Sequence, residues 1–230
     1  MGLTAGFGQS DNYMDSYFAK AAYKFDVLGG LNTSYQFYGS KTETFKDAAG
    51  KDVETYDGLA WQQALTASLS YNLYDFRAEA LFTKAEGELG VYLPRLTRGY
   101  ANSQGANEIW WDSRSDWNAN NEKAVFLGVQ RKLDDLMGAA GWAVGVSGAY
   151  GWDMEKGDGT KASNGADTEW AVNFDVMYTV QDGLAKGTLF KLHYTNYNNN
   201  IPATGFWTDV ATFTSEHDVK FHIIMPLSFF

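Results

Sequence analysis

The chain contains no cysteine among its 230 residues and only three prolines. The absence of cysteine excludes disulfide frameworks, thiolate metal sites and cysteine nucleophiles. No run of about 18 apolar residues occurs, so no transmembrane helix is expected. Basic residues are also scarce: 18 lysines and arginines face 28 aspartates and glutamates, which leaves a formal net charge of -10. This balance argues against a nucleic-acid partner, since phosphate contacts need a basic surface.

The first eight residues lack the marks of a signal peptide. They carry neither a basic n-region nor a long apolar h-region. Because the patterns described below indicate an exported protein, we expect either that a signal was removed or that the chain begins within a longer protein.

Aromatic residues and glycine are abundant instead. Aromatic residues make up 16% of the chain, and glycine occurs 24 times. Hydrophobic types reach 45%, yet the mean hydropathy is slightly polar. A β-barrel wall explains both values, because every second residue faces lipid and its neighbours face a wet lumen.

Alternation of apolar and polar residues, the period of a β-strand, is the dominant pattern. Most of the alternating runs are longer than the soluble strand of about 5–6 residues and match the roughly ten-residue strand that crosses a membrane. The pattern predicts ten strands, near residues 2–8, 16–26, 30–39, 58–72, 75–85, 122–133, 141–152, 167–180, 187–197 and 216–230.

The connections between the predicted strands alternate between short and long. Outer-membrane barrels have short periplasmic turns and long external loops, and counting back from a periplasmic C-terminus places every long loop outside. The short turns are 26–30, 72–75, 134–138 and 181–183, and the long loops are 40–57, 86–121, 153–166 and 198–215.

Large aromatic residues at both ends of the apolar stripes separate this pattern from that of a soluble β-sandwich, which also alternates. Such residues fit the girdles at the two membrane interfaces. The sequence therefore predicts an all-β protein, a single antiparallel transmembrane β-barrel domain over residues 1–230. The aromatic residues concerned are Trp142, Tyr150, Trp152, Trp170 and Tyr178.

Segments 17–26, 33–39, 109–126, 181–194 and 218–221 resemble the OprD-type porin family, and in particular its enterobacterial chitoporin branch. The similarity covers essentially the whole chain but only the C-terminal half of the proteins in that family. It implies a monomeric barrel of about eighteen strands and passive uptake of small solutes, with chitooligosaccharides as substrate on the chitoporin branch. The ten strands of this chain either close by themselves or form part of that larger barrel.

The loop at 109–120 combines aromatic and hydrogen-bonding side chains, as a sugar channel requires. Its tryptophans can stack on a pyranose while its polar groups bind hydroxyls, and a long loop of this kind can fold inward and narrow a lumen. The alternative is an external loop with an internal Arg–Asp network that sets only its shape. The candidates are Trp110, Trp111, Asp112, Arg114 and Asp116, with Asn118 and Asn120 beside them.

Charged residues on the strands form the second candidate set. The alternation predicts that they point into the lumen, where rings of charge tune selectivity. The alternative is a solvated wall that only keeps the lumen wet. These residues are Lys20, Lys24, Arg77, Glu79, Lys191, His193, Lys220 and His222.

An enzymatic function is not expected. His193 and His222 are predicted on adjacent strands, but no serine or carboxylate is spaced to complete a recognisable triad. The acidic loop 153–159 lacks the ligands that a calcium loop needs. We therefore expect neither a cofactor nor a metal site.

The expected function is passive uptake of small solutes across the bacterial outer membrane, with chitooligosaccharides as the best candidate. A general or amino-acid-selective porin and a non-conducting structural or surface barrel remain open alternatives. The expected partners are outer-membrane lipid, the solute, and the barrel assembly machinery, which would read the C-terminal strand that ends in Phe230.

Overall fold

The computed structural model describes residues 1–11, 14–42, 44–54, 59–85, 115, 117–155, 167–200 and 214–226. Within these residues no helix is long and apolar enough to cross a membrane. The strands are β1 (Gly2–Ser10), β2 (Met14–Phe25), β3 (Leu31–Thr42), β4 (Thr44–Lys46), β5 (Asp52–Glu54), β6 (Leu59–Tyr71), β7 (Tyr74–Ala85), β8 (Lys123–Lys132), β9 (Trp142–Trp152), β10 (Glu169–Thr179), β11 (Leu189–Asn199) and β12 (Glu216–Ile224).

Ten of these strands form one antiparallel sheet in chain order, from β1 through β3 and β6 to β12. The ten predicted strands are thereby confirmed. The two remaining strands, β4 and β5, form a small hairpin of their own inside 40–57, which the sequence predicted as a loop. Each has only three residues, too few for a recognisable alternation.

Most of the predicted strand ends lie one to three residues from those of the structure, and the connection between β10 and β11 and the end of the last strand are two examples. The connection between β10 and β11 is longer than predicted. A hydrogen bond from the Gly187 N–H to the Val180 carbonyl holds both residues in the turn rather than in the strands. Gly187 has a φ of 86°, which is not an extended conformation, so β11 does not begin at residue 187 as predicted. The last strand ends at Ile224, and the predicted continuation through residues 227–230 lies outside the described residues.

The register gives the large sheet two chemically different faces. Residues opposite one another on neighbouring strands share a face, as Asp175 and His193 do; we call theirs the polar face and the other the apolar face. Leu127 on the apolar face is 67% exposed, whereas Thr195 on the polar face is fully buried. A water-soluble protein shows the opposite distribution. The sheet therefore has the distribution of a barrel wall whose apolar face contacts lipid.

Large aromatic side chains lie at both ends of the apolar face. At the short-turn end the rings of Trp142 and Tyr178 lie 5.0 Å apart, and at the long-loop end those of Tyr150 and Trp152 lie 5.9 Å apart. Trp170 pairs in register with Tyr150. The five predicted girdle residues therefore form two groups separated by the length of the strands.

The absence of native cysteine makes the two faces testable by single-cysteine labelling. With the sheet closed into a barrel by further strands in lipid vesicles, we expect Leu127→Cys on the apolar face to resist a water-soluble maleimide and to react with a lipid-soluble one. Gln130→Cys, on the polar face of the same strand, is the matched control and is expected to react with the water-soluble reagent. Equal aqueous reactivity at both positions would contradict the assignment of the faces.

Strands β1 and β12 form the two edges of the large sheet. Among the described residues β1 pairs with β2 alone and β12 pairs with β11 alone. The sheet is thus open, as expected for part of a larger barrel rather than for a closed ten-stranded ring. The unpaired N–H and C=O groups of such edges are costly in lipid.

Candidate functional site

The eight charged strand residues predicted to face a lumen all lie on the polar face. One row of the sheet shows this: Lys24 pairs with Asn32, Asn32 with Ser68, and Ser68 with Arg77. All four residues therefore lie on the same face. The structure therefore brings these charges to one surface, and their contact with a solute remains a prediction. The eight are Lys20, Lys24, Arg77, Glu79, Lys191, His193, Lys220 and His222.

An ion pair on β7 illustrates how charge is arranged on this face. Arg77 Nε donates to Glu79 Oε1 at 2.7 Å. The Glu79 side chain is fully buried, whereas that of Arg77 is 28% exposed. A buried carboxylate needs such a partner, because an isolated charge is strongly disfavoured away from water. The cation is thus the more accessible member of the pair.

The same arrangement recurs on β10, β11 and β12. Asp175 Oδ1 lies 3.1 Å from Lys191 Nζ and 2.7 Å from His193 Nδ1, and its side chain is more buried than that of Lys191. Lys220 Nζ lies 3.4 Å from Asp218 Oδ2. The register places His193 opposite Lys220 rather than opposite the other strand histidine. At several points of the polar face, therefore, a lysine or arginine lies next to a carboxylate that is less exposed than the cation.

A chain of hydrogen bonds continues from His193 along the polar face. His193 Nε2 lies 2.8 Å from Thr195 Oγ1, which donates to Asn173 Oδ1 at 2.8 Å, and Asn173 Nδ2 donates to Ser147 Oγ at 3.1 Å. Asp175 contacts the other ring nitrogen of His193, so Asp175, His193 and Thr195 form a line of hydrogen bonds. The spacing of these residues in the sequence did not predict this line. The Thr195 proton, however, points to Asn173 and the side chain is fully buried. The line therefore presents no accessible nucleophile.

A second buried cluster lies at the long-loop end of the polar face. Ser115 Oγ donates to Glu169 Oε1 at 2.9 Å, and the Tyr197 hydroxyl donates to Glu169 Oε2. Trp117 packs edge-on against the Tyr197 ring with centroids 6.3 Å apart. Trp117, Glu169 and Tyr197 are essentially inaccessible. This part of the loop before β8 is therefore packed onto the sheet.

Glu122 completes this cluster. Its Oε2 accepts a hydrogen bond from the Ala119 N–H at 2.9 Å. A Cβ on Gly151 would come within 2.1 Å of Glu122 Oε1 and 3.2 Å of Glu169 Cγ, so the missing side chain makes room for the carboxyl group of Glu122 and for the methylene chain of Glu169. Burial raises the pKa of Glu122, as do the charge of Glu169 and a hydrogen bond with it, and the Ala119 N–H only partly offsets this.

The predicted loop candidates are only partly open to comparison. Asn118 and Asn120 are buried, and the Asn120 carbonyl accepts a hydrogen bond from the Glu155 N–H at 2.8 Å. Within the described part of the loop, these residues contribute to packing. The predicted solute contacts Trp110, Trp111, Asp112, Arg114 and Asp116 lie outside the described residues.

The sequence analysis missed the cluster at the long-loop end because its members come from the loop before β8 and from β10 and β11, which lie far from that loop along the chain. One signal was present: Glu122 and Glu169 stand at the same end of their strands with polar-face parity. No group of three or more His, Asp or Glu side chains capable of holding a metal ion occurs in the part of the chain that the structure describes.

Comparison with known proteins identifies one close relative. Over 238 aligned residues the chain is 45% identical to the chitoporin of Escherichia coli (strain K12), with 99% of this chain and 50% of the relative covered. The chain therefore spans about half the length of the curated relative that it matches. No protein-family model matches the chain.

Solved structures of outer-membrane channels share the fold. OccAB2 and OccAB3 of Acinetobacter baumannii superpose with TM-scores of 0.66 and 0.67, each over 96% of this chain and 50% of theirs, at 18% and 16% identity. OccK5 (OpdH) of Pseudomonas aeruginosa gives a TM-score of 0.62. Together with the chitoporin similarity, these comparisons show that the chain belongs to the OprD-type porins, a family of integral outer-membrane β-barrels, on the chitoporin branch.

Proposed function

We propose that this chain, as one barrel domain over residues 1–230, forms the wall of an outer-membrane pore for passive uptake of small solutes, and that its solutes are chitooligosaccharides. The observation that carries the proposal is the polar face itself. It runs along ten long strands, bears hydroxyl, amide and paired charged groups, and stands opposite an apolar face. Such a wall suits a hydrated passage through lipid.

Uncharged hydrogen-bonding groups on the polar face support a sugar as the solute. Ser34 Oγ and Thr66 Oγ1, on two partly exposed side chains, lie 2.7 Å apart, and the exposed amide of Asn32 lies on the same face. Hydroxyl and amide groups can exchange such bonds for bonds to sugar hydroxyls. The relative's name, chitoporin, supports the choice of amino-sugar oligomers.

Charge pairing on the polar face also favours an uncharged solute over an organic acid. The cations Arg77, Lys191 and Lys220 each have a carboxylate within hydrogen-bonding or ion-pair distance. Paired charges attract a passing anion much less than free ones, because the fields of the two partners largely cancel. At these three positions the wall thus offers hydrogen-bond donors with little net charge.

Single-channel conductance tests the solute, with chitooligosaccharides and maltooligosaccharides added in turn to the assembled barrel in a planar bilayer. We expect transient block by the chito series and little or none by the malto series at the same concentration, because only the former carries acetamido groups. Indifference to both sugars would leave a general porin, and block by amino acids an amino-acid-selective one. A barrel without conductance would be a structural or surface protein.

A contact with the barrel assembly machinery is a further part of this proposal. The C-terminal strand is amphipathic, with Val219, Phe221 and Ile223 on its apolar face, and the chain ends in Phe230. We expect deletion of Phe230 to lower the amount of protein that reaches the outer membrane.

A further inference from the structure

Arg131 is the one charged residue on the short-turn half of the apolar face, within the strands that the structure describes. A charge on the lipid face of a barrel is destabilising, and it is tolerated best near an interface. Arg131 pairs with Val144 of β9, and the girdle residue Trp142 lies two residues from Val144, closer to the turn. Arg131 therefore lies at the depth where lipid headgroups meet their acyl chains.

The guanidinium of Arg131 is held by two neighbours and is partly open to its surroundings. Its Nε donates to the Tyr74 hydroxyl at 3.2 Å, and its Nη2 donates to Asp135 Oδ2 at 2.6 Å. The side chains of Arg131 and Asp135 are 29% and 44% exposed. These two hydrogen bonds use two of the five N–H groups of a guanidinium. Arg131 can therefore bind an anion while it keeps its contact with Asp135.

A groove of about 700 Å³ begins on the apolar face beside Arg131. Val129, which lines the groove, is two residues from Arg131 on the same face of β8. Phe76 also lines it, and its ring stacks on that of Tyr74 with the centroids 6.0 Å apart. The volume lies within the range of about 300–1,000 Å³ that is typical of small-molecule sites. The guanidinium and the Tyr74 ring therefore lie at the mouth of a groove large enough for an acyl chain.

The groove continues towards the middle of the membrane along small side chains. Ala67 and Ala78 line it and also line a second groove of about 520 Å³, which runs on past Ala80. Ala80 pairs with Val125 of β8, so the path from the level of Arg131 covers about six residues of strand, or about 20 Å. With strands tilted by about 35–45°, this corresponds to about 15 Å of depth, half of a hydrocarbon core of about 30 Å. The two grooves together therefore have the depth of one leaflet.

The pair of charges at the mouth of the groove is complementary to a phosphoethanolamine headgroup. That headgroup carries a negative phosphate and, a few bonds away, a positive primary ammonium group. Arg131 can donate charge-assisted hydrogen bonds to the phosphate oxygens, and Asp135 can accept them from the ammonium group. A headgroup with a phosphate but no cation would instead be repelled by the Asp135 carboxylate. The arrangement therefore favours a lipid that carries both charges.

We propose that Arg131, Asp135 and Tyr74, with the groove that begins beside them, bind one glycerophospholipid with an ethanolamine headgroup. Arg131 binds its phosphate, Asp135 binds its ammonium group, and one acyl chain lies along Phe76 and Ala78. Because short turns face the periplasm in outer-membrane barrels, the lipid belongs to the periplasmic leaflet. The site lies on the face opposite the polar face, so it does not depend on which solute the pore carries or on whether the chain conducts.

Native mass spectrometry of the assembled barrel in detergent micelles tests the site. Phosphatidylethanolamine, phosphatidylglycerol and diacylglycerol with the same two acyl chains are added in turn, and glycerophosphoethanolamine supplies the headgroup without chains. We expect one phosphatidylethanolamine to bind about ten-fold more tightly than diacylglycerol, as hydrogen bonds to charged groups predict. Phosphatidylglycerol is expected to bind more weakly than phosphatidylethanolamine, and the headgroup alone is expected not to be retained. Equal binding of the three lipids would mean a general lipid contact and would overturn the proposal.

Two substitutions at the mouth of the groove test the headgroup contacts. Arg131→Gln is expected to lower the affinity for phosphatidylethanolamine about ten-fold, to that for diacylglycerol. Lys132→Gln, which removes the neighbouring cation on the polar face, is the matched control and is expected to leave this affinity unchanged. Asp135→Asn is expected to abolish the preference for phosphatidylethanolamine over phosphatidylglycerol. An ion pair that only stabilises the turn would not alter the choice between two headgroups.

A matched pair of substitutions on the apolar face tests the groove. Ala78→Leu fills the groove and is expected to weaken retention of phosphatidylethanolamine, whereas Ala19→Leu makes the same change outside both grooves and is expected to have no effect. Circular dichroism confirms that each variant keeps its strands before lipids are compared. The proposal is overturned if Arg131→Gln retains the wild-type affinity, or if Ala78→Leu and Ala19→Leu behave alike.

Discussion

Single-channel conductance is expected only when β1 and β12 both gain hydrogen-bonding partners. The ten-stranded sheet is open between these two strands, and it superposes over nearly its whole length on half of solved barrels. The sheet thus corresponds to about half of a larger barrel, whose other half lies between the two edges. Lipid does not tolerate unpaired backbone groups, so the chain alone is expected to give no stable pore.

The directions of the two edge strands define what can complete the barrel. β1 runs from the short-turn end to the long-loop end, and β12 runs the other way. An antiparallel set that continues from β12 and closes on β1 must therefore contain an even number of strands. A natural source of such strands is the half of the Escherichia coli chitoporin that lies outside the 45% identical alignment.

Co-refolding this chain with that half of chitoporin tests the expectation. We expect stable conductance steps from the mixture, none from this chain alone, and none when the complementing half is replaced by an unrelated barrel fragment. A cysteine pair, Ala5→Cys on β1 with Val219→Cys on β12, reports on direct closure and is expected not to form a disulfide within one chain. Conductance from the chain alone would contradict the prediction, and the molecular mass of that pore would distinguish a ten-stranded ring from a pair of chains.

The amino-acid sequence predicts the strands well because the barrel wall imposes a strict local rule. Each residue of a strand contacts either lipid or the polar interior, so the period of two is visible without any knowledge of tertiary contacts. The assignment of Arg77 and Glu79 to one face, and of Phe76 and Ala78 to the other, follows from parity alone and agrees with the register. The same rule gives no information on β4 and β5, which belong to no membrane wall.

Partners across strands are harder to predict, because they depend on register and on loop packing. To predict that Asp175 contacts His193, one must know the length of the β10–β11 connection, because this length sets the register. The connection runs through residues 180–188 and is longer than the turn predicted from Gln181 to Gly183. The pairing of Glu122 with Glu169 depends further on how the loop folds back. Residues 86–114 of that loop, which hold most of the predicted solute contacts, lie outside the described residues.

Asp175→Asn is expected to make the completed pore more selective for anions. Asp175 is the shared carboxylate of Lys191 and His193, and asparagine keeps the size and a hydrogen-bond acceptor while removing the negative charge. One uncompensated charge about 10 Å from a passing ion in water changes the energy of that ion by about 0.4 kcal/mol. Because anions gain and cations lose by this amount, we expect the anion-to-cation permeability ratio to rise by about two- to four-fold, less at high salt.

Reversal potentials in a salt gradient measure this ratio directly. Asp182→Asn is the matched control, because it makes the same change of charge in the connection between β10 and β11, outside the strands, and is expected to leave the ratio unchanged. Asp175→Glu retains the charge and is expected to stay close to the wild type. If both asparagine variants behave alike, Asp175 does not balance the lumen cations. A selective rise for Asp175→Asn would support the proposal of a neutral sugar as solute, since it would show that carboxylates next to the cations remove most of their attraction for anions.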